Sequence, residues 1–285
     1  MTNSKSDVSA LCGSFNSQAS TYERRVGGST RRIITYIISL LAGLPNSPTL
    51  LDNACGPGFA TVELLKAYPN AHICAADAAA GMIALIDHLI ASNSWNDRVE
   101  TAVMDGMSLH YPDETFDASI TNFSIVFFPD PIAGAREIYR TLKPGGKAAV
   151  TCWKKVPFLP ILHAVQAIVK PGSMPIALPT LDTWTQKETI EKTLREGGFE
   201  EVETYEKEVM WWNKGIDEAA KGFTDNFVNI VGEQWTKEEK ENILDTTVQV
   251  LIEQGKDLII ESEGMIGFQM VAWIAVGTRK NKTAL

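Results

Sequence analysis

The chain has 285 residues, and 26 lysines and arginines against 35 aspartates and glutamates give it a formal net charge of −9. Hydrophobic residues make up 45% and charged residues 21%, which is typical of a globular protein with a substantial core and excludes a globally disordered chain. Because binding polyphosphate needs clustered Lys and Arg, the acidic balance argues against a nucleic-acid partner.

Signals for membranes and secretion are weak. The longest apolar stretches, 33–44 and 265–277, fall well short of the roughly 20 residues that span a bilayer. Residues 1–7 are polar and lead into no apolar segment, so we expect no secretory signal and a cytoplasmic location.

Short apolar runs alternate with helical patterns between residues 48 and 153, which is typical of βαβ units. Helices are predicted at 60–67, 80–92 and 132–142. The predicted strands are 49–54, 72–77, 99–105, 118–123, 147–153, 200–212 and 264–279. The pattern predicts an α/β fold with a Rossmann-like, doubly wound, mostly parallel sheet of seven strands.

Helical segments flank this core. Residues 14–42 predict two helices, a polar one with Phe15, Ala19 and Tyr22 on one side and an apolar one over 30–42. A further helix is predicted at 185–196, and a mostly helical insertion at 215–254 separates the sixth and seventh strands. We therefore expect a single domain over 1–285, with a helical cover at 14–44 and a core at 48–153.

A glycine-rich turn follows the first strand, in the sequence Asp52-Asn53-Ala54-Cys55-Gly56-Pro57-Gly58, and opens a helix. Glycine lets a backbone approach a ligand closely, and a helix N-terminus offers free N–H groups. The turn indicates a nucleotide-like ligand at the carboxyl end of the strand. Any tight strand-to-helix turn favours glycine, so the turn alone is weak evidence.

Carboxylates end three successive strands. Asp52 lies near the end of the first strand, Asp77 ends the second, 19 residues after Gly58, and Asp105 ends the third. A single aspartate at such a place is more often a helix cap or turn residue. Three of them around one glycine turn favour a ligand site, where an acidic group accepts ribose hydroxyls.

The ligand fits S-adenosylmethionine better than NAD. The NAD fingerprint G-x-G-x-x-G requires a third glycine where Thr61 stands. Asp52 would also repel a pyrophosphate, whereas it suits a ligand that carries an amino group and a sulfonium. An NAD-dependent oxidoreductase remains the weaker alternative.

At these residues the chain resembles the class I S-adenosylmethionine-dependent methyltransferases, in the branch of quinone-biosynthesis and secondary-metabolite enzymes that act on small molecules. The resemblance covers about residues 14–153 and is loose beyond them. The matching segments are Asp52 to Gly58, with Ala54 in a position often held by glycine, Asp77 with Met82, Asp105-Gly106-Met107, Phe116-Asp117 with Ile120 to Phe123, and Leu142 to Lys147.

The resemblance implies S-adenosylmethionine as cofactor and a set of binding residues. Asp52 would lie along the methionine moiety, Asp77 would hold the ribose hydroxyls and Asp105 the adenine amino group. Asn122 would face the methyl donor, and Tyr22 would reach the methionine carboxylate unless it simply packs. The full set is Tyr22, Asp52, Ala54, Gly56, Gly58, Asp77, Met82, Met104, Asp105, Gly106 and Asn122.

Methyl transfer asks mainly for positioning, and a general base is needed only where the acceptor must lose a proton. Of the four histidines, His163 is the best candidate for a catalytic base, because it follows the fifth strand in a region that lines acceptor pockets in such folds. A packing or surface role for this histidine is the competing interpretation.

Metal sites and disulfides are not expected. The cysteines Cys12, Cys55, Cys74 and Cys152 form no C-x-x-C pair, and we predict free buried thiols without a metal ligand role.

The segments 154–184 and 214–258 are predicted to form the acceptor side and a lid. Aromatic walls suit a flat, apolar small molecule, although each ring alone is more often core. The partner would then be a small-molecule acceptor, with no nucleic acid and no membrane span, and the oligomeric state stays open. A cyclase or regulatory protein with the same fold is the alternative. The aromatic residues concerned are Trp153, Phe158, Trp184, Trp211, Trp212, Phe223, Phe227 and Trp235.

Overall fold

One mixed sheet organises the computed structural model, which describes residues 28–281 apart from the side chains of residues 179–181. The strands, numbered in chain order, are β1 (Thr49–Asn53), β2 (His72–Asp77), β3 (Val99–Val103), β4 (Phe116–Thr121), β5 (Leu142–Lys155), β6 (Glu201–Asn213), β7 (Ile259–Ser262) and β8 (Met265–Thr278).

The strand order is β3-β2-β1-β4-β5-β8-β6, with β7 paired to β8. Strands β1 to β5 run parallel to one another, and β8 is antiparallel to its partners β5, β6 and β7. This confirms the predicted Rossmann-like, mostly parallel sheet. The short β7 is one strand more than predicted, and it joins β8 through Glu263 and Gly264, both with positive φ, as a two-residue hairpin requires.

The helices lie between the strands and at the ends of the sheet. They are α1 (Ser29–Leu40), α2 (Phe59–Ala67), α3 (Ala80–Asn93), α4 (Pro131–Thr141), α5 (Phe158–Val169), α6 (Pro179–Trp184), α7 (Lys187–Glu196), α8 (Ile216–Val231), α9 (Lys237–Glu241) and α10 (Ile243–Glu253). Within the described residues, no helix is both long enough and apolar enough to cross a bilayer.

Helix α5 was not predicted, because its segment contains Pro160 and follows Pro157. Both prolines lie at or before the first turn of the helix. There the missing N–H of a proline costs no intrahelical hydrogen bond. The helix predicted at 30–42 is α1, which ends two residues earlier. The preceding polar helix with Phe15 and Ala19 lies outside the described residues.

The strand order positions the functional cleft. Strand β1 lies between β2 and β4, so the chain connections leave β1 in opposite directions and a crevice opens at the carboxyl ends of these strands. Leu50 and Leu51, consecutive residues of β1, are buried in separate cores on the two faces of the sheet. Layers of helices therefore cover both faces and leave the carboxyl edge open.

Several aromatic residues predicted to wall an acceptor pocket are core residues. Phe223 of α8 packs edge-on against Trp211 and Phe268, with ring centroids 4.6 and 5.0 Å apart. Phe227 and Trp235 are buried in the same core. Trp184 lies in the core on the other face of the sheet. The apolar face of the helical insertion packs against the sheet, and this packing buries Phe223, Phe227 and Trp235.

Candidate functional site

A cleft opens at the carboxyl edge of the sheet, with about 1000 Å³ of empty space, part of it open solvent. This is the size of a small-molecule site. Asp52, Asp77 and Asp105 all line it, and the described lining residues include no Lys or Arg. The three carboxylates that the sequence singled out are therefore brought together in one negatively charged cleft.

The glycine turn forms the floor of the cleft. Gly56 has φ +54, and a Cβ built on it meets no atom within 4 Å, so a side chain there would occupy the cleft. Ala54 also lines the cleft and has φ +55. Gly58, unlike Gly56, is not among the described lining residues of the cleft. A Cβ built on it would lie 2.7 Å from the Ile86 side chain. The structure therefore assigns Gly58 to packing between α2 and α3.

Asp77 connects β2 to the glycine turn. Its Oδ2 accepts a hydrogen bond from the Gly56 N–H, and its Oδ1 accepts one from the Ala79 N–H, both at 2.8 Å. Burial raises the pKa of this carboxyl, and the two backbone hydrogen bonds oppose the rise. Each carboxylate oxygen keeps a further lone pair, so Asp77 can still accept from two ligand hydroxyls.

Asp52 is the most buried acid of the cleft, with 1% of its surface exposed. Its Oδ2 accepts hydrogen bonds from the Thr61 N–H at 2.9 Å and the Thr61 hydroxyl at 2.7 Å. Burial raises its pKa to about 6, against the lowering effect of Thr61, and Asp77 adds to the rise. Thr61, which departs from the NAD fingerprint, is therefore the partner of this carboxylate.

Asp105 and Gly106 lie in the loop after β3. Asp105 Oδ1 accepts from the Met107 N–H at 2.9 Å, which fixes its carboxylate at the cleft. A Cβ on Gly106 would lie 2.5 Å from the Phe128 ring and 3.0 Å from Asn53 Oδ1. Only glycine allows this close approach. Phe128 also lines the cleft and was missed by the sequence analysis.

The two predicted methionines are placed differently. Met82 of α3 is buried and lines the cleft. Met104 does not line it. Its side chain packs against the core that contains Leu51, and its Sδ accepts a hydrogen bond from the His110 N–H at 3.2 Å. Because side chains alternate along an extended segment, Met104 and Asp105 face different sides.

Asn122 lines the cleft where β4 ends. Its Oδ1 accepts from the Thr151 hydroxyl at 2.9 Å, and its Nδ2 donates to the Thr30 carbonyl at 3.4 Å. Thr151 Oγ1 in turn accepts from the Phe123 N–H at 2.8 Å. The Asn122 amide thus ties the start of α1 to β4 and β5 and positions the cleft wall.

Thr30 is a cleft residue that the sequence analysis missed. It stands in the first turn of α1, is 3% exposed and lines the cleft. Its hydroxyl has no hydrogen-bond partner within the described part of the chain. Since a buried polar group without a partner costs about 1–3 kcal/mol, Thr30 offers a donor or acceptor to a ligand. Its place at a helix start was the one available signal.

Three phenylalanine rings of the loop after β4 line the cleft, and Trp153 packs against one of them. Phe123 has φ +55, and its ring stacks on Trp153 with centroids 3.9 Å apart and planes 15° apart. Phe127, which is 45% exposed, and Phe128 follow within the same loop. This group combines one predicted ring, Trp153, with three rings that the prediction did not include.

His163 is a further predicted residue that does not line the cleft in the described structure. His163 lies on α5, where its Nε2 is 2.8 Å from the Ile176 carbonyl oxygen, and it is absent from the described lining. The structure thus supports the packing interpretation of this histidine. Tyr22 lies outside the described residues.

Residues 50–146 match the family model of a methyltransferase domain. A demethylmenaquinone methyltransferase of Corynebacterium kroppenstedtii is 29% identical over 167 residues, which cover 54% of this chain and 68% of that protein. Methyltransferase tpcH of Aspergillus fumigatus is 26% identical over 250 residues, which cover 81% and 84% of the two chains.

Solved structures share the fold at low sequence identity. A putative methyltransferase from Bacillus halodurans has a TM-score of 0.55 and 18% identity, with 87% of this chain and 99% of that chain covered. The [4+2]-cyclase SpnF has a TM-score of 0.54 and 20% identity, with 88% and 82% covered. Both similarities concern the arrangement of the sheet and its helices.

Proposed function

The chain belongs to the class I S-adenosylmethionine-dependent methyltransferases, and we propose that it methylates an O, N or C atom of a small aromatic or polyketide-like metabolite. One observation carries the cofactor assignment. Asp52, Asp77 and Asp105 converge on the Gly56 turn in a cleft without Lys or Arg among its described lining residues. Such a cleft favours hydroxyls, an ammonium and a sulfonium over phosphates.

The strand order supports an orientation for the cofactor. Asp105 follows β3, Asp77 ends β2, Asp52 belongs to β1 and Asn122 follows β4, and the strands lie side by side in this order. Adenine at Asp105, ribose at Asp77 and methionine along Asp52 would thus place the methyl group near Asn122. The open space above Gly56 is where the cofactor would cross the turn.

Thr30 fits the methionine carboxylate. Its hydroxyl, which has no partner among the described residues, lies in the first turn of the 12-residue helix α1, where the helix dipole favours an anion. The cleft carboxylates would attract the ammonium group instead. Thr30 is therefore our proposal for a contact that the sequence analysis assigned to Tyr22.

Catalysis follows from positioning. When bound, S-adenosylmethionine supplies an electrophilic methyl group on a sulfonium. The hydrogen-bonded unit of Asn122, Thr151 and Phe123 holds the wall beside the methyl-donor end. Apart from the carboxylates assigned to the cofactor, the described lining residues include no His, Lys, Tyr or Glu, so the proposal favours acceptors whose nucleophile is already ionised or electron-rich. Holding the two reactants in line accounts for several kcal/mol.

The acceptor would enter beside the Phe123 and Trp153 stack. A flat ring gains offset-stacking contacts with such a wall, and a relative that matches this chain is a demethylmenaquinone methyltransferase. In this proposal the chain is one domain with a helical cover at 14–44, of which residues 28–44 are described, and with segments 154–184 and 214–258 on the acceptor side. The ring cluster supports an aromatic acceptor more directly than the core aromatics of the insertion do.

A non-methylating cyclase is the second candidate. The fold similarity to the [4+2]-cyclase SpnF and the described lining without a histidine base both suit a protein that uses its cleft for shape. A cyclase would bind the cofactor but give a product of unchanged mass.

Two measurements test these proposals. Calorimetry with S-adenosylhomocysteine is expected to show binding to the wild type, and NADH fluorescence is expected to stay unchanged. Incubation with S-adenosylmethionine and a panel of hydroxylated naphthoquinols and aromatic polyketides should yield a product heavier by one CH₂. No binding would exclude the cofactor assignment. Binding together with an isomerised product of unchanged mass would favour the cyclase.

A further inference from the structure

A second polar cluster lies at the opposite end of β2 from the cleft. His72 and Cys74 are two residues apart on β2, and Cys74 pairs with Glu100 of β3 in the sheet register. Because side chains alternate along a strand and paired residues point to the same side, all three side chains lie on one face. A nitrogen, a sulfur and an oxygen atom of this set lie within 4.8 Å of one another.

Two of these atoms have the spacing of ligands in a tetrahedral zinc site. His72 Nε2 and Glu100 Oε1 are 3.4 Å apart, and two ligands with bonds of about 2.0–2.1 Å at tetrahedral angles are about 3.3–3.4 Å apart. Imidazole, thiolate and carboxylate are the three ligand types that Zn²⁺ takes from proteins. To complete the site, the Cys74 sulfur, which lies within 4.8 Å of both atoms, would have to move closer to this pair.

The surroundings of Cys74 suit a buried ligand with an open approach. The thiol is 5% exposed. Tyr111 packs against the same core as Cys74. The side chains of His72 and Glu100 are 39% and 70% exposed, so an ion can reach the cluster from solvent.

We propose that His72, Cys74 and Glu100 bind a zinc-class divalent ion, with water as the fourth ligand. The ion displaces the thiol proton of Cys74 to solvent and forms a metal–sulfur bond, while the imidazole nitrogen and the carboxylate oxygen donate lone pairs. The cluster joins β2 to β3, which is the edge strand of the sheet. Asp77 is five residues from His72 along β2, about 16 Å away, so the ion clamps the edge of the sheet and takes no part in the cleft.

Cobalt(II) is the probe for this site, because tetrahedral cobalt with a thiolate ligand absorbs in the visible range and shows a thiolate-to-metal charge-transfer band in the near ultraviolet. Titration of the metal-free full chain with Co²⁺ is expected to produce both features, and Zn²⁺ should remove them by displacement. Cys74→Ser should abolish the charge-transfer band, and His72→Ala and Glu100→Gln should each weaken Co²⁺ binding at least tenfold.

Cys152→Ser provides the matched control, because Cys152 is a buried thiol on β5 that contacts the Trp184 carbonyl. The Co²⁺ spectrum of this variant should equal that of the wild type. Zn²⁺ should raise the unfolding temperature of the wild type and not that of His72→Ala. Absence of the band in wild type, or its persistence in Cys74→Ser, would overturn the proposal. The affinity of His72→Ala for S-adenosylhomocysteine should be unchanged, which separates this test from that of methyl transfer.

Discussion

Asp77 and Gly56 are joined by a hydrogen bond of 2.8 Å from the glycine N–H to Asp77 Oδ2, so the carboxylate of β2 holds the turn that follows β1. The two residues are 21 positions apart in the chain. The bond makes the turn and the carboxylate one unit, and a ligand that contacts either of them depends on both.

Asp77→Asn is expected to weaken binding of S-adenosylhomocysteine by roughly tenfold or more. The amide keeps one acceptor oxygen but removes the charge that strengthens hydrogen bonds from ligand hydroxyls, and a tenfold loss corresponds to about 1.4 kcal/mol. Calorimetry measures the change. Asp87→Asn is the control, because Asp87 bonds Thr101 outside the cleft. Equal affinity of the Asp77→Asn variant and the wild type would refute the ribose assignment.

Thr30→Val separates binding from stability. The hydroxyl has no described partner, so its replacement by a methyl group should leave the free energy of unfolding unchanged or raise it slightly. Affinity for the cofactor should fall about fivefold or more. Thr151→Val is the contrast, since Thr151 bonds Asn122 and Phe123, and it should lose about 1 kcal/mol or more of stability. Denaturant unfolding measures the stability of both variants, and calorimetry measures their affinity for the cofactor. Wild-type cofactor affinity in Thr30→Val would contradict the proposed contact with the methionine carboxylate.

Cofactor affinity should depend on pH through Asp52. Its pKa of about 6 in the folded chain means that the carboxyl is protonated below pH 6, whereas a bound ammonium or sulfonium favours the ionised form. Affinity for S-adenosylmethionine should therefore rise from pH 5 to 7 and then level off. Near pH 6, binding should release protons, which calorimetry in buffers of different ionisation enthalpy detects. In Asp52→Asn this proton release should disappear. If the variant still released protons near pH 6, another group would be their source.

The Asp52 carboxyl should also make the stability of the fold depend on pH, and here the contribution falls as the pH rises. Its pKa is raised above the usual value of 3.8, so the folded state binds the proton more tightly than the unfolded chain between about pH 4 and 6. The contribution of Asp52 to the free energy of unfolding is most favourable below pH 4 and falls by about 3 kcal/mol as the pH rises past 6. Asp52→Asn should show a smaller fall over this range in denaturant unfolding. An identical pH dependence in both proteins would contradict the raised pKa.

Gly106→Ala should destabilise the fold by about 1–3 kcal/mol, because its Cβ would meet the Phe128 ring at 2.5 Å. Gly255→Ala is the control, since its closest neighbour is at 3.4 Å. Phe128→Leu combined with Gly106→Ala should recover part of the loss, and a double-mutant cycle measures the coupling. Additive effects of the two changes would show that the contact does not limit packing.

The sequence determined the strand positions, the glycine turn and the three carboxylates because these depend on local patterns. A period of two residues marks strands, and the positive φ at Gly56 favours glycine. Once the strands are parallel, their carboxyl ends meet at one edge, so Asp52, Asp77 and Asp105 had to converge. The doubly wound sheet of the fold followed from the same alternation of strands and helices.

Other features were decided only by tertiary packing. The side of the sheet that Met104 faces, the distance of His163 from the cleft and the contact of Gly58 with Ile86 depend on how helices and loops pack onto the sheet. The sequence contains the residues of these contacts but not their distances. Most of the aromatic residues assigned to a pocket became core for the same reason, since burial is a property of the assembled layers.

The clearest contrast is between the two ends of β2. At its carboxyl end, Asp77 was predictable because a local turn and the strand end specify it. At its other end, His72, Cys74 and Glu100 meet only because β2 pairs with β3 in one particular register, and a shift of one residue would move Glu100 to the opposite face. The sequence by itself determined which residues end the strands. The tertiary structure decided which distant side chains share a face, because register is set by packing across the whole sheet.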